Sequence, residues 1–442
     1  MPSNEALTPL LRQFRVLIAG GSYGGLSAAL TLLDLSKGRL ARFNYTEGAK
    51  PPQYQIPIQI TVVDERDDHL IGSPKALACD KFAAKTWTRF CDIPALKSPN
   101  LQIVRGSVNT VDFQNKVAQI LDLETKETRQ EKYDFFIAGT GLRRVFPTVP
   151  QSLKREEFLQ EATGHKEAIR NADEGVVVIG GGNISRPLVE GALANCDISG
   201  AVGVEMAAEL KELYPQQKVT LVHSRDRLLS AEPLPDDFAE RVVAELREQG
   251  VEVILGQRVI DTTAVEEEQG KRTWSLTLAN GTKLKAGHIM NAVSKSSPTS
   301  SYLPKDALTE EGYVKIRPNL QFANPVPNAE NHFAVGDIAQ WAGIKRCGGA
   351  IHMGHYAGTN IHQLMLAEAT KAKPEFMNLI NYPPVMGLAL GHTAVSYTPD
   401  EGTKHGKELL GTLFGEDMGY SSKLLHQRRT IAALTEQITN LA

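Results

Sequence analysis

The chain has few cysteines, no excess of basic residues and no long apolar run. Its 442 residues include four cysteines, Cys79, Cys91, Cys196 and Cys347. They form neither a CxxC pair nor the ligand spacing of a zinc site, so a disulfide framework is not expected. Lysine and arginine number 48 against 51 acidic residues, and the resulting net charge of −3 offers no basic field for nucleic acid.

Targeting and membrane signals are also missing from the sequence. No stretch approaches the ~20 apolar residues that span a bilayer. The amino terminus lacks the basic and apolar regions of a secretory signal, and Pro2 excludes N-myristoylation, which requires glycine after the initiator methionine. Hydrophobic residues make up 42% and charged residues 22%, which excludes disordered, collagenous and coiled-coil chains. At roughly 150 residues per domain, we expect a cytoplasmic protein of two or three domains.

The first cluster of glycines follows a predicted strand over residues 14–19. The turn Gly20-Gly21-Ser22-Tyr23-Gly24-Gly25 comes next, and a helical pattern follows. This order matches the GxGxxG fingerprint, with Ser22 at the second glycine position. Without Cβ atoms the turn lets a pyrophosphate approach the backbone, and the helix start offers unpaired N–H groups. A second predicted strand, 58–63, ends at Asp64, which is either a ribose acceptor or a surface acid.

A second strand and glycine turn end in Gly180-Gly181-Gly182, but the third glycine of the fingerprint is missing there. Deletion of residues 183–200 leaves Gly180-Gly181-Gly182-Ala201-Val202-Gly203, a complete fingerprint followed by a helical pattern. At three nucleotides per residue the segment corresponds to 54 nucleotides, and its codons permit intron-like ends. A retained short intron and a true loop insertion are the two hypotheses. In either case we expect the chain as written to bind NAD(P)H poorly.

Together with the strand over 132–141 and the later Val335-Gly336-Asp337, these motifs resemble the two-dinucleotide-domain flavoprotein reductases. The similarity extends over about residues 14–415. It is greatest to the apoptosis-inducing-factor-like group that includes ferroptosis-suppressor-type NAD(P)H:quinone oxidoreductases, fungal members in particular. The resemblance implies an α/β fold with two Rossmann-like domains. A discontinuous FAD-binding domain (11–150 and 291–375) would enclose an NAD(P)H-binding domain (151–290), and a C-terminal segment (376–442) would follow.

The resemblance also implies contacts to FAD. It places the first turn at the pyrophosphate, Asp64 at the adenosine ribose and Asp337 at the ribityl chain, with Lys75 and Val108 as further contacts. Lys85 falls in a stretch that faces the flavin ring, where a cation would stabilise the reduced form. The alternative for Lys85 is a solvated surface lysine.

Two residues of the second fold are expected near the nicotinamide nucleotide. Glu205 matches a family position beside the nicotinamide, and as an acid in the first turn of a helix it also complements the helix dipole. The strand over 218–223 ends at His223 without the acid typical of NAD-preferring sites. Arg225 follows, and it either accommodates the 2′-phosphate of NADPH or is a surface charge.

The implied reaction is oxidation of NAD(P)H through FAD with delivery of electrons to a small-molecule acceptor. The missing CxxC argues against a disulfide reductase, which leaves a small organic acceptor. A quinone-like molecule is the favoured acceptor. A tailoring flavin oxidoreductase of secondary metabolism and a non-enzymatic death or signalling flavoprotein with an impaired NAD(P)H site are the alternatives. His352, His355 and His362 are not expected to bind metal. The tail over 423–434 either packs on the body or makes weak peripheral contact with an organelle membrane.

Overall fold

A computed structural model describes residues 12–44, 48–70, 77–180, 199–230, 232–266, 272–293, 296–323, 325–342, 345, 347–379 and 384–415. The strands in these ranges are, in chain order, β1 (Phe14–Ala19), β2 (Ile58–Asp64), β3 (His69–Leu70), β4 (Trp87–Thr88), β5 (Leu101–Asp112), β6 (Val117–Asp122), β7 (Thr128–Lys132), β8 (Phe135–Ala138), β9 (Leu142–Arg143), β10 (Val176–Gly180), β11 (Val219–His223), β12 (Glu252–Ile254), β13 (Val259–Glu266), β14 (Arg272–Leu278), β15 (Lys283–Ala286), β16 (His288–Asn291), β17 (Ser297–Pro298), β18 (His332–Ala334), β19 (Met386–Leu390), β20 (Thr393–Thr398) and β21 (Gly402–Gly406). The α-helices are α1 (Tyr23–Ser36), α2 (Asp80–Thr86), α3 (Arg155–Arg170), α4 (Ser199–Leu213), α5 (Asp236–Glu248), α6 (Cys347–Thr370) and α7 (Lys407–Phe414).

The first sheet has the strand order β18-β8-β1-β2-β5-β6-β7. Its pairs from β18 to β5 are parallel, and β5, β6 and β7 form an antiparallel meander. The apolar run of β1 is buried because helices cover the sheet. Helix α1 packs closely on α6, where the Ser27 hydroxyl donates to the Ile351 carbonyl at 2.6 Å and Thr31 Oγ1 lies 3.3 Å from His355 Nδ1. These contacts join an early helix to a late one across the same domain.

The second sheet, β12-β11-β10-β16, is parallel throughout. Along the chain, its strands come after β8 and before β18, so they interrupt the strands of the first sheet in sequence. In a separate antiparallel sheet, β13-β14-β15, the β14–β15 hairpin turns at Asn280 and Gly281. Strands β19, β20 and β21 form a further sheet whose Met386, Leu388 and Val395 share the core of the second sheet.

The predicted α/β fold class with two Rossmann-like units is confirmed by this arrangement. One helix boundary differs from the expectation, because α1 begins at Tyr23, inside the glycine turn. Ser199 and Gly200, from the segment whose deletion completes the second fingerprint, are helical and belong to α4. Within the described ranges, no helix combines the length and apolarity needed to cross a membrane.

Candidate functional site

The turn after β1 requires glycine for steric reasons. Gly20 has φ +106°, and a Cβ there would collide with the carbonyl of Gly139. A Cβ at Gly25 would collide with the Gly20 carbonyl. The backbone N–H of Gly20 donates to Val63 at 2.8 Å, which fixes the turn against β2. The start of α1 therefore stands directly over the end of β1, with its N–H groups at the carboxyl edge of the sheet.

Asp64 ends β2 beside this turn. Its Oδ2 accepts the N–H of Gly21 at 2.6 Å, and its Oδ1 accepts the N–H of Arg66 at 2.9 Å. Burial raises the pKa of Asp64, while the positive charge of Arg66 and the two N–H donors oppose that shift. The carboxylate is thus held at the position where the fingerprint places a ribose acceptor.

The end of β18 meets the same edge. A Cβ at Gly24 would lie 3.0 Å from Val335 Cγ2, so the residues before Gly336 and Asp337 contact the glycine turn. The structure adds two cations that the sequence had not singled out. Arg144 Nη2 donates to Asp337 Oδ2 at 2.9 Å, and Lys345 Nζ donates to the Asp337 carbonyl at 2.9 Å. Burial lowers the pKa of Lys345 to about 8, partly offset by Asp337.

His69 is a third residue that the sequence had not singled out. It is 2% exposed, with its ring edge-on to Tyr23 at 5.7 Å between centroids and 6.3 Å from Phe90. Burial lowers its pKa to about 4, so the imidazole beside the turn is neutral. A lone histidine after a strand carries no sequence signal of this placement.

The remaining predicted FAD contacts are less closely tied to the turn. Lys85 lies in the last turn of α2 and is exposed; β4, which follows, pairs with β3, the strand of His69. Val108 is buried in β5 next to a bulge and lies opposite Ile120 of β6. Lys75 lies outside the described residues.

The second fold repeats the geometry at β10. A Cβ at Gly203 in α4 would lie 3.0 Å from Gly180 Cα and 3.1 Å from Ala292 Cβ. Gly181 and Gly182 lie outside the described residues. Glu205 follows Gly203 by two residues in the same helix. The third and first glycines of the second fingerprint are therefore in contact despite their separation in sequence.

A histidine ends β11, and arginines follow it. His223 is 1% exposed, with Nδ1 at 3.2 Å from the Gly180 carbonyl and Nε2 at 2.9 Å from the Arg227 carbonyl. Burial lowers its pKa, and these two contacts oppose the shift. Arg225 is exposed and its Nη1 donates to Ser230 Oγ at 3.1 Å. No carboxylate ends this strand.

Both folds fit a dinucleotide by their own geometry. In the first, a pyrophosphate would meet a turn that excludes Cβ atoms, and a fixed carboxylate is in place for the ribose. In the second, Gly203 of α4 lies close against Gly180 at the end of β10. The fold and the site define a two-domain oxidoreductase-type protein with two Rossmann-like dinucleotide-binding units.

The comparisons with known proteins agree with this class. The family model of the pyridine nucleotide-disulphide oxidoreductases matches residues 14–193 and 199–357, and the chain belongs to this family. It is 45% identical over 434 residues to oxidoreductase OXR1 of Ajellomyces capsulatus, covering 95% of this chain and 89% of that protein. It is 26% identical over 363 residues to ferroptosis suppressor protein 1 of Xenopus laevis, covering 81% and 83%. The family resemblance inferred from the sequence is confirmed.

Solved structures share the fold at low sequence identity. A NAD-dependent persulfide reductase from A. fulgidus aligns with a TM-score of 0.57 at 19% identity, over 86% of this chain and 63% of that chain. The chain thus spans less than two thirds of the persulfide reductase. A water-forming NADH oxidase from Lactobacillus brevis, bound to NADH, aligns with a TM-score of 0.57 at 17% identity, over 87% and 74%. The chain is an NAD(P)H-dependent flavin oxidoreductase, with FAD and NAD(P)H as its cofactors.

Proposed function

We propose that this oxidoreductase passes electrons from NAD(P)H through FAD to a small quinone-like acceptor. The observation that carries the proposal is the turn at β1, where Gly20 and Gly25 exclude Cβ atoms and Asp64 is fixed by the Gly21 N–H. Bound there, FAD would supply the hydride-accepting and electron-donating chemistry. The protein would supply binding and orientation.

Residues at the ends of three strands, β1, β2 and β18, would each contact a different part of FAD. The backbone N–H groups of the turn and of the α1 start would hold the pyrophosphate. Asp64 would accept from the ribose hydroxyls, and Asp337 would accept from the ribityl chain. Arg144 orients the Asp337 carboxylate through their 2.9 Å contact. Lys85 is the proposed cation near the flavin ring, where it would stabilise developing negative charge.

The cysteine pattern supports a small organic acceptor. A disulfide substrate is usually reduced through a reactive cysteine pair. The sequence has no CxxC, and Cys79, Cys91 and Cys347 are free thiols in the structure. Electrons would therefore leave the flavin directly for the acceptor. The ferroptosis-suppressor relatives and the family resemblance favour a quinone-like molecule as that acceptor.

We also propose that NADPH is accepted as readily as NADH. An acid at the end of β11 would repel a 2′-phosphate, and His223 stands there instead. The exposed guanidinium of Arg225 is two residues further on, and it can exchange the Ser230 hydroxyl for a phosphate oxygen.

An anaerobic titration of the flavin-loaded protein with NADH and with NADPH tests the first half of the proposal. Loss of oxidised-flavin absorbance with either nucleotide is expected, and a flavin that stays oxidised with both would contradict it. Turnover with a short-chain ubiquinone analogue, glutathione disulfide and a ferredoxin then tests the acceptor. Turnover is expected with the quinone alone, and preference for the disulfide or the ferredoxin would overturn the assignment.

A further inference from the structure

We infer that Lys166 is a positioning residue for electron transfer from the nicotinamide nucleotide to the flavin, because its ion pair with Asp80 fixes helix α2 to the second sheet. The inference rests on the proposed function, in which Lys85 of α2 lies near the flavin ring and the second sheet binds NAD(P)H. Lys166 would touch neither cofactor. It would act through α2, whose place decides where Lys85 stands relative to the bound nucleotide.

Lys166 occupies a position of α3 where the packing pattern calls for an apolar side chain. The buried face of this helix is made by Phe158, Ala162, His165, Lys166 and Ile169. Lys166 is 2% exposed, and its ammonium pairs with Asp80, the first residue of α2. A buried ammonium costs more free energy than an apolar side chain of similar volume. The stability of the core therefore does not account for a lysine here.

Helix α3 is itself attached to the second sheet. Ile169, in its last turn, and Ala172, just after it, share a core with Val176 and Val178 of β10. A Cβ at Gly287, directly before β16, would lie 2.5 Å from Ala172 Cα, so the end of the helix and the start of that strand are in close contact. A group that Lys166 binds is therefore fixed relative to the second sheet.

Two further contacts join the α2 segment to elements of the second sheet. Trp87, which follows α2, packs on Phe158 of α3 with 5.3 Å between ring centroids. The Tyr214 hydroxyl, directly after α4, donates to the Ala78 carbonyl at 2.9 Å. Asp80 lies between these two contacts along the chain and adds a charged one. The segment is thus held to α3 and α4 at both of its ends and at its first helical residue.

The other side of the same segment leads to the first glycine turn. Trp87 Nε1 donates to Asp67 Oδ1 at 2.8 Å, and β4 pairs with β3, whose His69 lies edge-on to Tyr23. Lys85 lies in the last turn of α2, two residues before β4. Helix α2 therefore connects the turn after β1 with α3 and the second sheet. A displacement of about 1 Å can reduce the rate of a positioned reaction about a hundredfold, so a shift of α2 would slow the transfer.

The variant Lys166→Met removes the ion pair without leaving a buried charge. The Asp80 side chain is 67% exposed, so water solvates its carboxylate once the ammonium is gone. Methionine is unbranched and adaptable, and it suits the apolar surroundings of the lysine stem. The matched control is Arg170→Met. Arg170 Nη2 lies 3.9 Å from the other Asp80 carboxylate oxygen, and its side chain is 55% exposed, so this change removes the same charge from solvent.

The test measures anaerobic flavin reduction by NADPH in the flavin-loaded protein, together with hydrogen exchange of α2, flavin content and Tm. For Lys166→Met we expect the limiting rate of reduction to fall about tenfold or more, with an unchanged Kd for NADPH. Amide exchange over residues 80–86 should be faster by about tenfold. Flavin content should stay the same, and Tm should be unchanged or higher. Arg170→Met should match the parent in every readout.

A second variant, Asp80→Ala, reaches the same ion pair from an exposed side chain. It should also slow flavin reduction, and the double variant with Lys166→Met should be no slower than the slower single variant, because both changes remove one interaction. If Lys166→Met loses its flavin, Asp80→Ala decides: a slower rate with retained flavin supports the inference, and the parent rate overturns it.

The outcomes that contradict the inference differ from those that contradict the proposed function. The parent rate in Lys166→Met, even with faster exchange in α2, would show that the position of α2 does not limit the transfer, and the proposed function would stand. Multiplied losses in the double variant would show that the two residues do not act as a pair. A parent protein whose flavin stays oxidised with both nucleotides would overturn the proposed function and the inference together.

Discussion

The backbone N–H of Gly21 donates to the Asp64 carboxylate at 2.6 Å, although the two residues are 43 positions apart in the chain. They meet because β1 and β2 are adjacent and parallel, with Ala19 opposite Val63. The acid that ends one strand is thereby tied to the turn that ends the other. The proposed ribose and pyrophosphate contacts form one unit, so a change at Asp64 acts on both.

Replacing Asp64 by alanine should weaken FAD binding. The change removes the ribose acceptor and leaves the Gly21 N–H without its carboxylate, and hydrogen bonds to charged groups contribute about 1.5–3 kcal/mol each. We expect a rise of roughly ten- to a hundredfold in the dissociation constant for FAD, measured on apoprotein reconstituted with flavin. Asp64→Asn keeps one oxygen acceptor and should lie between the two. An Asp64→Ala protein with wild-type affinity would contradict the assignment of this carboxylate.

Gly25→Ala should remove flavin binding and lower Tm, because the new methyl group would collide with the Gly20 carbonyl and push α1 away from the turn. The matched control is Gly164→Ala in α3, where a Cβ meets no atom within 4 Å. There the higher helix propensity of alanine should stabilise the fold by about 0.5–1 kcal/mol. Thermal unfolding and the ratio of flavin to protein report both effects. Equal behaviour of the two variants would show that Gly25 is not held as the structure has it.

The first turn, its strand and Asp64 were predictable because each is specified by local sequence. An apolar run, a glycine turn and a helical pattern follow one another within residues 14–36, and a parallel sheet brings the next strand end to the same edge. The close approach of Gly203 to Gly180 also agrees with the fingerprint spacing that appears when residues 183–200 are left out of the sequence.

The partners of Asp337 were not predictable in this way. Arg144 lies 193 positions from Asp337, and its contact depends on how β8 and β18 pair. Surface and buried arginines look alike in a sequence, so no pattern singles out Arg144. His69 is similar, since its burial against Tyr23 depends on the path of the chain after β2. Local motifs thus predicted the glycine turn after β1, whereas tertiary packing determined which side chains lie around it.

Arg225→Ala should weaken NADPH binding and leave NADH binding unchanged. The guanidinium is exposed and charged, so its contribution would be directed to the 2′-phosphate that NADH lacks. We expect a rise of about tenfold in the NADPH dissociation constant, equal to about 1.4 kcal/mol. Calorimetric titration of the flavin-loaded protein with each nucleotide measures the change. Arg247→Ala in α5 is a matched loss of charge. An equal effect on both nucleotides would place Arg225 outside the 2′-phosphate site.

His332 should make the stability of the fold sensitive to acid. The residue is fully buried in β18, its Nδ1 donates to the Asn328 carbonyl at 2.7 Å, and its Nε2 accepts the Tyr133 hydroxyl at 2.9 Å. The neutral ring satisfies both partners. Burial lowers the pKa of His332 to about 4, helped by Lys116 and opposed by the contact with Asn328.

The direction of this pH dependence follows from the pKa values of His332 in the folded and unfolded chains. The unfolded chain, with a histidine pKa near 6.5, binds the proton more tightly than the folded chain, so this residue's contribution is fully present above pH 6.5 and is lost as the pH falls toward 4. The loss for one such group reaches about 3 kcal/mol.

In His332→Phe, whose ring would join Phe113 and Phe322, unpaired polar groups should reduce the free energy of unfolding at neutral pH by about 1–3 kcal/mol. On acidification, the free energy of unfolding of His332→Phe should fall less than that of the parent, by up to the contribution of one buried histidine. Other buried histidines, such as His355 and His362, account for the decrease that remains. Urea unfolding of both proteins at neutral pH and at a pH of about 5 measures this difference. Parallel pH profiles would show that His332 titrates alike in the folded and unfolded chains.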